Sequence, residues 1–306
     1  MAADPHFDKV ALLLRMDGAD GSKVFVDASP TPKTQTVSAS GAALSTARSK
    51  FGGASGLFDG GYIWFGAADD AALLPGAQDF CIEAWCYDVG GGNRRVLFGN
   101  APASGSGSTL ACLLRVDGTF SVTVVVGGTS HNMSPATATP LNTWYHLALT
   151  RSGTTLRLFL DGVQIGSVTG VSGSVVGGGG QFALGSLGNY LAYGGAYGVQ
   201  WMGNVDDFRY TIGAARYAAD FTPPGESHPG AGALSGVVRD ASDAPAARLV
   251  RALREDSGAF VGETMSNATT GAYSFQAAYS GPHMLIAYPG AGEALPALAL
   301  RGVMPA

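Results

Sequence analysis

The stretch from Asn142 to Ser167, NTWYHLALTRSGTTLRLFLDGVQIGS, narrows the fold of this chain more than any other. Trp144 to Thr150 is aromatic and aliphatic enough for a buried strand, and Ser152-Gly153 supplies a turn. In Leu156-Arg157-Leu158-Phe159-Leu160 the leucines recur at every second position, which sets them on one face of a strand. Asp161-Gly162 is the strongest short hairpin signal, because a type I′ turn needs positive φ at both central residues. Val163-Gln164-Ile165 then returns with Val and Ile on one face and Gln on the other. A meander of three strands cannot bury itself, so the rest of the chain must supply more sheet.

The order W-Y-H-L-A-L-T-R, a short turn, then L-R-L-F-L-D-G resembles the core signature of laminin-G-like modules in the concanavalin A-like superfamily. The opening blocks L-L-L-R-M-D-G-A-D-G-S, V-D-A-S and S-K-F-G-G-A-S-G-L-F-D-G look like the first strands of the same family. Asp79-Phe80-Cys81-Ile82-Glu83-Ala84-Trp85 resembles its next strand. Val205-Asp206-Asp207-Phe208-Arg209-Tyr210 resembles its last, and Ala215-Arg216-Tyr217 to Pro224 resembles the tail that follows it. The resemblance spans about Phe7 to Pro224 and implies a jelly-roll sandwich of two antiparallel sheets, usually a binding module and sometimes a glycosidase.

Periodicity adds detail. Phe7 to Gly18 is a strand ending in an Asp-Gly turn, Val24 to Asp27 a short strand, and Thr34 to Thr46 loop and edge strand. Phe80, Ile82 and Ala84 share one face of their strand and are expected in the core. Cys81, Glu83, Trp85 and Tyr87 share the other. There Glu83 is either part of a binding surface beside aromatics or a structural carboxylate hydrogen-bonded to its neighbours. Val96 to Gly99, Leu110 to Val116 and Thr119 to Val126 continue the meander, with a second Asp-Gly hairpin at Asp117-Gly118. Gly170 to Gly180 reads as a loop too flexible for rigid chemistry.

A Pro/Gly linker, residues 225–232, follows the first domain (1–224). Beyond it, residues 233–306 hold short strands at Leu234–Asp240, Ala247–Arg254, Ala259–Thr264, Ala272–Ala277 and His283–Tyr288. These suit a small Greek-key sandwich. The order S-G-V-V-R-D, D-S-G, G-E-T and T-G-A-Y-S-F looks like carboxypeptidase-regulatory-like modules, which implies an Ig-like spacer or docking unit without catalysis. The expected fold is thus all-β: a concanavalin A-like jelly roll followed by an Ig-like sandwich. Forty-six glycines and 13% charged residues agree with many turns and short strands.

Several functions are disfavoured. A net charge of −5 argues against nucleic-acid binding. No run of about 18 apolar residues speaks for membrane insertion, and the amino terminus does not read as a secretory signal. Cys81 and Cys86 point to opposite faces of one strand and cannot bridge, and Cys112 is a small apolar residue. Retaining glycosidases need two carboxylates about 5–5.5 Å apart, yet Glu83 is the only glutamate before Glu226. The histidines lack metal-ligand spacing, and His146 reads as a satisfied sandwich residue.

The candidate ligand-binding residues are Tyr190, Tyr193 and Tyr197 in GNYLAYGGAYG, because tyrosine among glycines suits an adaptable recognition loop. A glycine-rich loop with its tyrosines packed down is the competing assignment. No cofactor is required. The family resemblance implies that calcium is sometimes held at a sandwich edge, and Asp17, Asp20, Asp206 and Asp207 are the candidate ligands. Turn-capping aspartates and an Asp–Arg209 pair are the alternative.

The expected protein is non-enzymatic: a bacteriophage virion component (tail, fibre or capsid surface) whose lectin-like domain adheres to host-surface glycan. It would be assembled in the host cytoplasm with other virion proteins, as a homo-oligomer, with the large domain outward and the small one docking. A bacterial surface or secreted carbohydrate-binding adhesin is the alternative, and a glycoside hydrolase the weakest third.

Overall fold

The computed structural model describes residues 4–91, 93–101, 109–187, 199–229, 233–276, 282–290 and 298–303. The chain forms two compact units, Lys9–Ser227 and a second made of Met1–Asp8 with His228–Ala306.

The larger unit contains β1 (Val10–Leu14), β2 (Gln35–Val37), β3 (Ala42–Ser45), β4 (Ser55–Asp59), β5 (Ile63–Phe65), β6 (Phe80–Asp88), β7 (Arg95–Asn100) and β8 (Leu110–Leu114). It continues with β9 (Phe120–Val126), β10 (Thr129–Met133), β11 (Trp144–Ser152), β12 (Thr155–Leu160), β13 (Val163–Val168), β14 (Phe182–Leu184), β15 (Val199–Gln200) and β16 (Met202–Ile212). Two sheets result. The first runs β13-β12-β11-β6-β16-β4-β3, with β1 also on β16, and the second runs β10-β9-β8-β7-β14-β5-β2, with β15 on β7. This is the sandwich expected from the alternating patterns. Leu156, Leu158, Phe80, Ile82, Ala84 and Cys86 of the first sheet share one core with Phe65, Phe98, Phe120, Val122 and Phe182 of the second. The three cysteines are buried and free, as expected.

The organising meander is β11, β12 and β13. Asp161 and Gly162 have φ of +48° and +79°, the pair of left-handed residues that a type I′ turn requires. The ladder then differs from simple alternation, because β12–β13 shifts register between Leu158 and Phe159. The unpaired residue of that bulge is Ile165, which packs inward, while Val163, opposite Leu160 beside the turn on the edge strand, is 56% exposed.

Two further expectations are corrected. Val24 to Asp27 forms no strand, because the Asp27 carboxylate accepts the amides of Leu13, Ser29 and Lys33 and so competes with a ladder. Gly170–Gly180 is a loop but not a loose one. Val171 and Val175 enter the core, and the buried Arg151 guanidinium donates to the carbonyls of Gly76, Gly153 and Gly173. Thr34 to Thr46 is loop with two short edge strands, β2 and β3, as expected.

The smaller unit contains β17 (Ala233–Val237), β18 (Leu249–Arg254), β19 (Phe260–Met265), β20 (Ala272–Gln276), β21 (His283–Ala287) and β22 (Leu298–Val303). They form a β17-β20 pair and a four-stranded sheet β19-β18-β21-β22. Five of these strands coincide with the expected ones. β22 was not anticipated, since LALRGV carries no turn signal or strict alternation to set it off.

Candidate functional site

The first sheet has an outer face on which neighbouring strands set polar and aromatic side chains in rows. Trp144 pairs with Tyr87, and Tyr87 with Asn204. His146 pairs with Trp85, and Trp85 with Asp206. Ala148 pairs with Glu83, and Glu83 with Arg209. Residues opposite one another in an antiparallel ladder share a face, so these rows lie side by side.

The Glu83 row is sealed. Arg209 donates from Nε at 2.9 Å and Nη2 at 2.7 Å to Glu83 Oε1. Tyr217 Oη donates to Oε2 at 2.7 Å, and His146 Nε2 lies 3.3 Å from the same oxygen. Arg216 Nε is 3.9 Å from Oε1 and donates at 2.7 Å to Thr211 Oγ1. Glu83 is 1% exposed. Burial first, and then the neighbouring carboxylate, push the Tyr217 hydroxyl far above its ordinary pKa, so it remains a donor. This is the structural assignment of Glu83. Arg209 pairs with Glu83.

The lid over this row is the tail after β16. Tyr217 and Phe221 stack at 3.5 Å between centroids, and Phe221 packs on Phe159 at 5.3 Å and His146 at 5.7 Å. Thr150 Oγ1 donates to Tyr217 O, and Phe221 N to Gly162 O. Gly162 thus serves both the hairpin and the tail: a Cβ there would sit 1.9 Å from Phe221 O. Gly162→Ala is expected to destabilise the sandwich by about 1–3 kcal/mol through left-handed strain and this clash. A denaturation midpoint equal to the wild type's would contradict that.

The Asp206 row is covered by the loop between β3 and β4. Asp206 Oδ2 accepts the amides of Lys50 at 2.7 Å and Phe51 at 3.1 Å. Lys50 Nζ lies 3.7 Å from the Trp85 ring centroid, and Phe51 meets that ring edge-on at 6.1 Å. Asp206 Oδ1 is buried without a hydrogen bond. Burial raises the Asp206 pKa to about 7 despite the two amides.

The other aspartates proposed as metal ligands are dispersed in role. β1 does lie beside β16, as a closing jelly roll requires. Asp20 Oδ1 accepts Thr46 N, Asp207 Oδ1 accepts Ser227 Oγ, and Asp17 packs against Gly52. Among the described residues no three His, Cys, Asp or Glu side chains are gathered as a metal would need. Tyr190, Tyr193 and Tyr197 lie outside the described residues.

The second sheet presents an aromatic pair that sequence reasoning missed. Ile63 and Phe65 of β5 are buried, which turns Trp64 outward. Tyr62 stacks on Trp64 at 4.6 Å and 20°, both half-buried, and Trp64 Nε1 donates to Ser186 Oγ at 3.3 Å. Across the sheet Trp64 is flanked by Thr36 and Ala183, both small. The signal was Tyr-Ile-Trp-Phe itself, in which alternation leaves two aromatics on the face away from the core.

A family description, "Concanavalin A-like lectin/glucanases superfamily", matches residues 59–212. No curated protein sequence matches the chain. Domain 4 of AbnA, an extracellular arabinanase from Geobacillus stearothermophilus, is 18% identical with a TM-score of 0.44, covering 68% of this chain and 94% of that one. A SAP-like pentraxin from Limulus polyphemus is 18% identical with a TM-score of 0.34, and the match covers 45% of this chain and 65% of the pentraxin. The sialidase CBM40 of Ruminococcus gnavus is 10% identical with a TM-score of 0.37, covering 46% of this chain and 79% of that one.

Proposed function

The chain belongs to the concanavalin A-like lectin/glucanase superfamily, and from that membership we propose that it is a non-enzymatic, glycan-binding component of a bacteriophage particle. The observation that carries the binding half is the Tyr62–Trp64 pair, half-exposed on a sheet face whose neighbouring positions are small. Sugars bind by laying apolar ring faces on aromatics while polar groups fix orientation. Ser186 holds the Trp64 indole and lies just before the segment with Tyr190, Tyr193 and Tyr197, the other recognition residues in this reading.

The non-enzymatic half is supported by Glu83. A general acid or nucleophile must reach its substrate, and this carboxylate is engaged by Arg209 and Tyr217 under the tail. The particle half is supported by the tandem plan, in which a smaller unit resembling Ig-like regulatory modules docks and the lectin-like unit faces outward.

The test is binding of the full-length protein to host cells and to their isolated surface polysaccharide. Trp64→Ala is expected to weaken binding about tenfold or more, as is the triple Tyr190, Tyr193, Tyr197→Ala variant, with no polysaccharide cleaved. Binding unchanged in both variants would sink the site, and cleavage lost in Glu83→Gln would sink the non-enzymatic reading. Detection on the bacterial surface in cells that make no particles would favour an adhesin of the bacterium itself.

A further inference from the structure

The four-stranded sheet of the smaller unit has one face with an unusual surface. Its ladders pair Leu249 with Met265, Arg251 with Glu263 and Ile286, and Leu253 with Phe260 and Met284. Tyr288 N donates to Leu249 O and extends the first row. Val250, Ala252 and Leu285 point the other way and are buried. The outer face therefore carries Met265, Leu249 and Tyr288, then Glu263, Arg251 and Ile286, then Phe260, Leu253 and Met284. None of the nine is buried, and Phe260 and Met265 are 60% and 59% exposed. A sheet face toward water ordinarily reads polar. Here the charges are Arg251 and Glu263 in the middle row, where Arg251 Nη2 is 2.8 Å from Glu263 Oε2, and the exposed Arg301 of the edge strand β22, two residues on from Ala299, which pairs with Ile286. The same guanidinium lies 5.7 Å from the Phe260 ring and 5.4 Å from the Tyr288 ring.

We propose that this face pairs with the same face of a second copy of the chain about a two-fold axis. The charge pattern selects that occupant. At the centre of the face one Arg beside one Glu is its own complement, with Arg301 outside it on the edge strand: a two-fold lays each Arg251 toward Glu263 of the other copy and apolar row on apolar row. A polyanion would meet Glu263 with like charge, and a basic partner would meet Arg251. Four strands about 4.8 Å apart and six residues at about 3.3 Å give roughly 400 Å² per copy, about half a standard interface. Association is therefore transient in solution and strengthened wherever copies are held close together. It is independent of what the sandwich binds.

The experiment is sedimentation equilibrium of the full chain from about 1 µM to about 1 mM. The wild type is expected to show a reversible monomer–dimer equilibrium. Arg251→Glu and Glu263→Arg should each weaken it about tenfold, because like charges then meet across the axis. An equimolar mixture of the two variants should dimerise again, since an acidic patch meets a basic one, and this also shows that both are folded. Phe260→Asp should leave monomer only. A wild type that stays monomeric throughout, or a dimer unaffected by both charge reversals, overturns the proposal, whatever the outcome of the glycan experiments.

Discussion

Replacing Arg209 with methionine is expected to destabilise the sandwich by about 3–5 kcal/mol, the cost of leaving a buried charge without its partner. Glu83 and Arg209 are both buried, joined by two hydrogen bonds. Removing the guanidinium leaves the carboxylate with Tyr217 and His146, and with Arg216 at 3.9 Å, which places the loss toward the lower end of that range. The double variant Glu83→Gln/Arg209→Met should recover part of the loss, because removing a buried pair together avoids the orphaned charge. Urea denaturation followed by tryptophan fluorescence reports on this unit specifically, since Trp64, Trp85, Trp144 and Trp201 all lie within Lys9–Ser227. A loss below about 1 kcal/mol in the single variant, the size of an exposed pair, would show that the network is not what holds the tail.

The second large effect is a dependence of stability on pH that Asp206→Asn removes. The Asp206 pKa is raised from 3.8 to about 7, chiefly by burial. An acid with a raised folded-state value binds its proton more tightly folded than unfolded. Its contribution is therefore most favourable below pH 3.8, declines as pH rises from 3.8 to about 7, and is a constant penalty above that. Three pKa units correspond to on the order of 4 kcal/mol. Asparagine cannot ionise and keeps an oxygen for the amides of Lys50 and Phe51. The variant should therefore gain on the wild type steadily between pH 4 and about pH 7, and the difference should level off above. Parallel stability curves for the two proteins would refute this account of Asp206.

Much of the architecture was legible because it is written locally. The alternation of Leu156, Leu158 and Leu160, the Asp161-Gly162 turn and the Phe80-Ile82-Ala84 face depend only on strand period and turn chemistry, and all are as expected. The departures are places where a side chain from elsewhere in the chain, or a local competitor, intervened. Asp27 displaced a strand by binding amides near it, Arg151 tied the glycine-rich loop at the Gly173 carbonyl to Gly76 and Gly153, and a bulge at Ile165 broke the simple pairing of β12 with β13.

The candidate site divides along the same line. From the sequence alone it followed that Cys81, Glu83, Trp85 and Tyr87 share the face away from the core, and that the large domain lacks the paired glutamates of a retaining glycosidase. Whether that face is open or closed was beyond its reach, because alternation names a face but not what lies on it. The tail after β16 returns across 134 residues of chain to place Tyr217 on Glu83, and the β3–β4 loop reaches Asp206 across 156 to cover Trp85. Such contacts are chosen by the three-dimensional path of the chain, which no local period encodes. Only the tertiary structure therefore decided that Glu83 is a structural anchor, that Asp206 titrates near neutrality, and that Tyr62 and Trp64 stack as a half-buried pair on the opposite sheet.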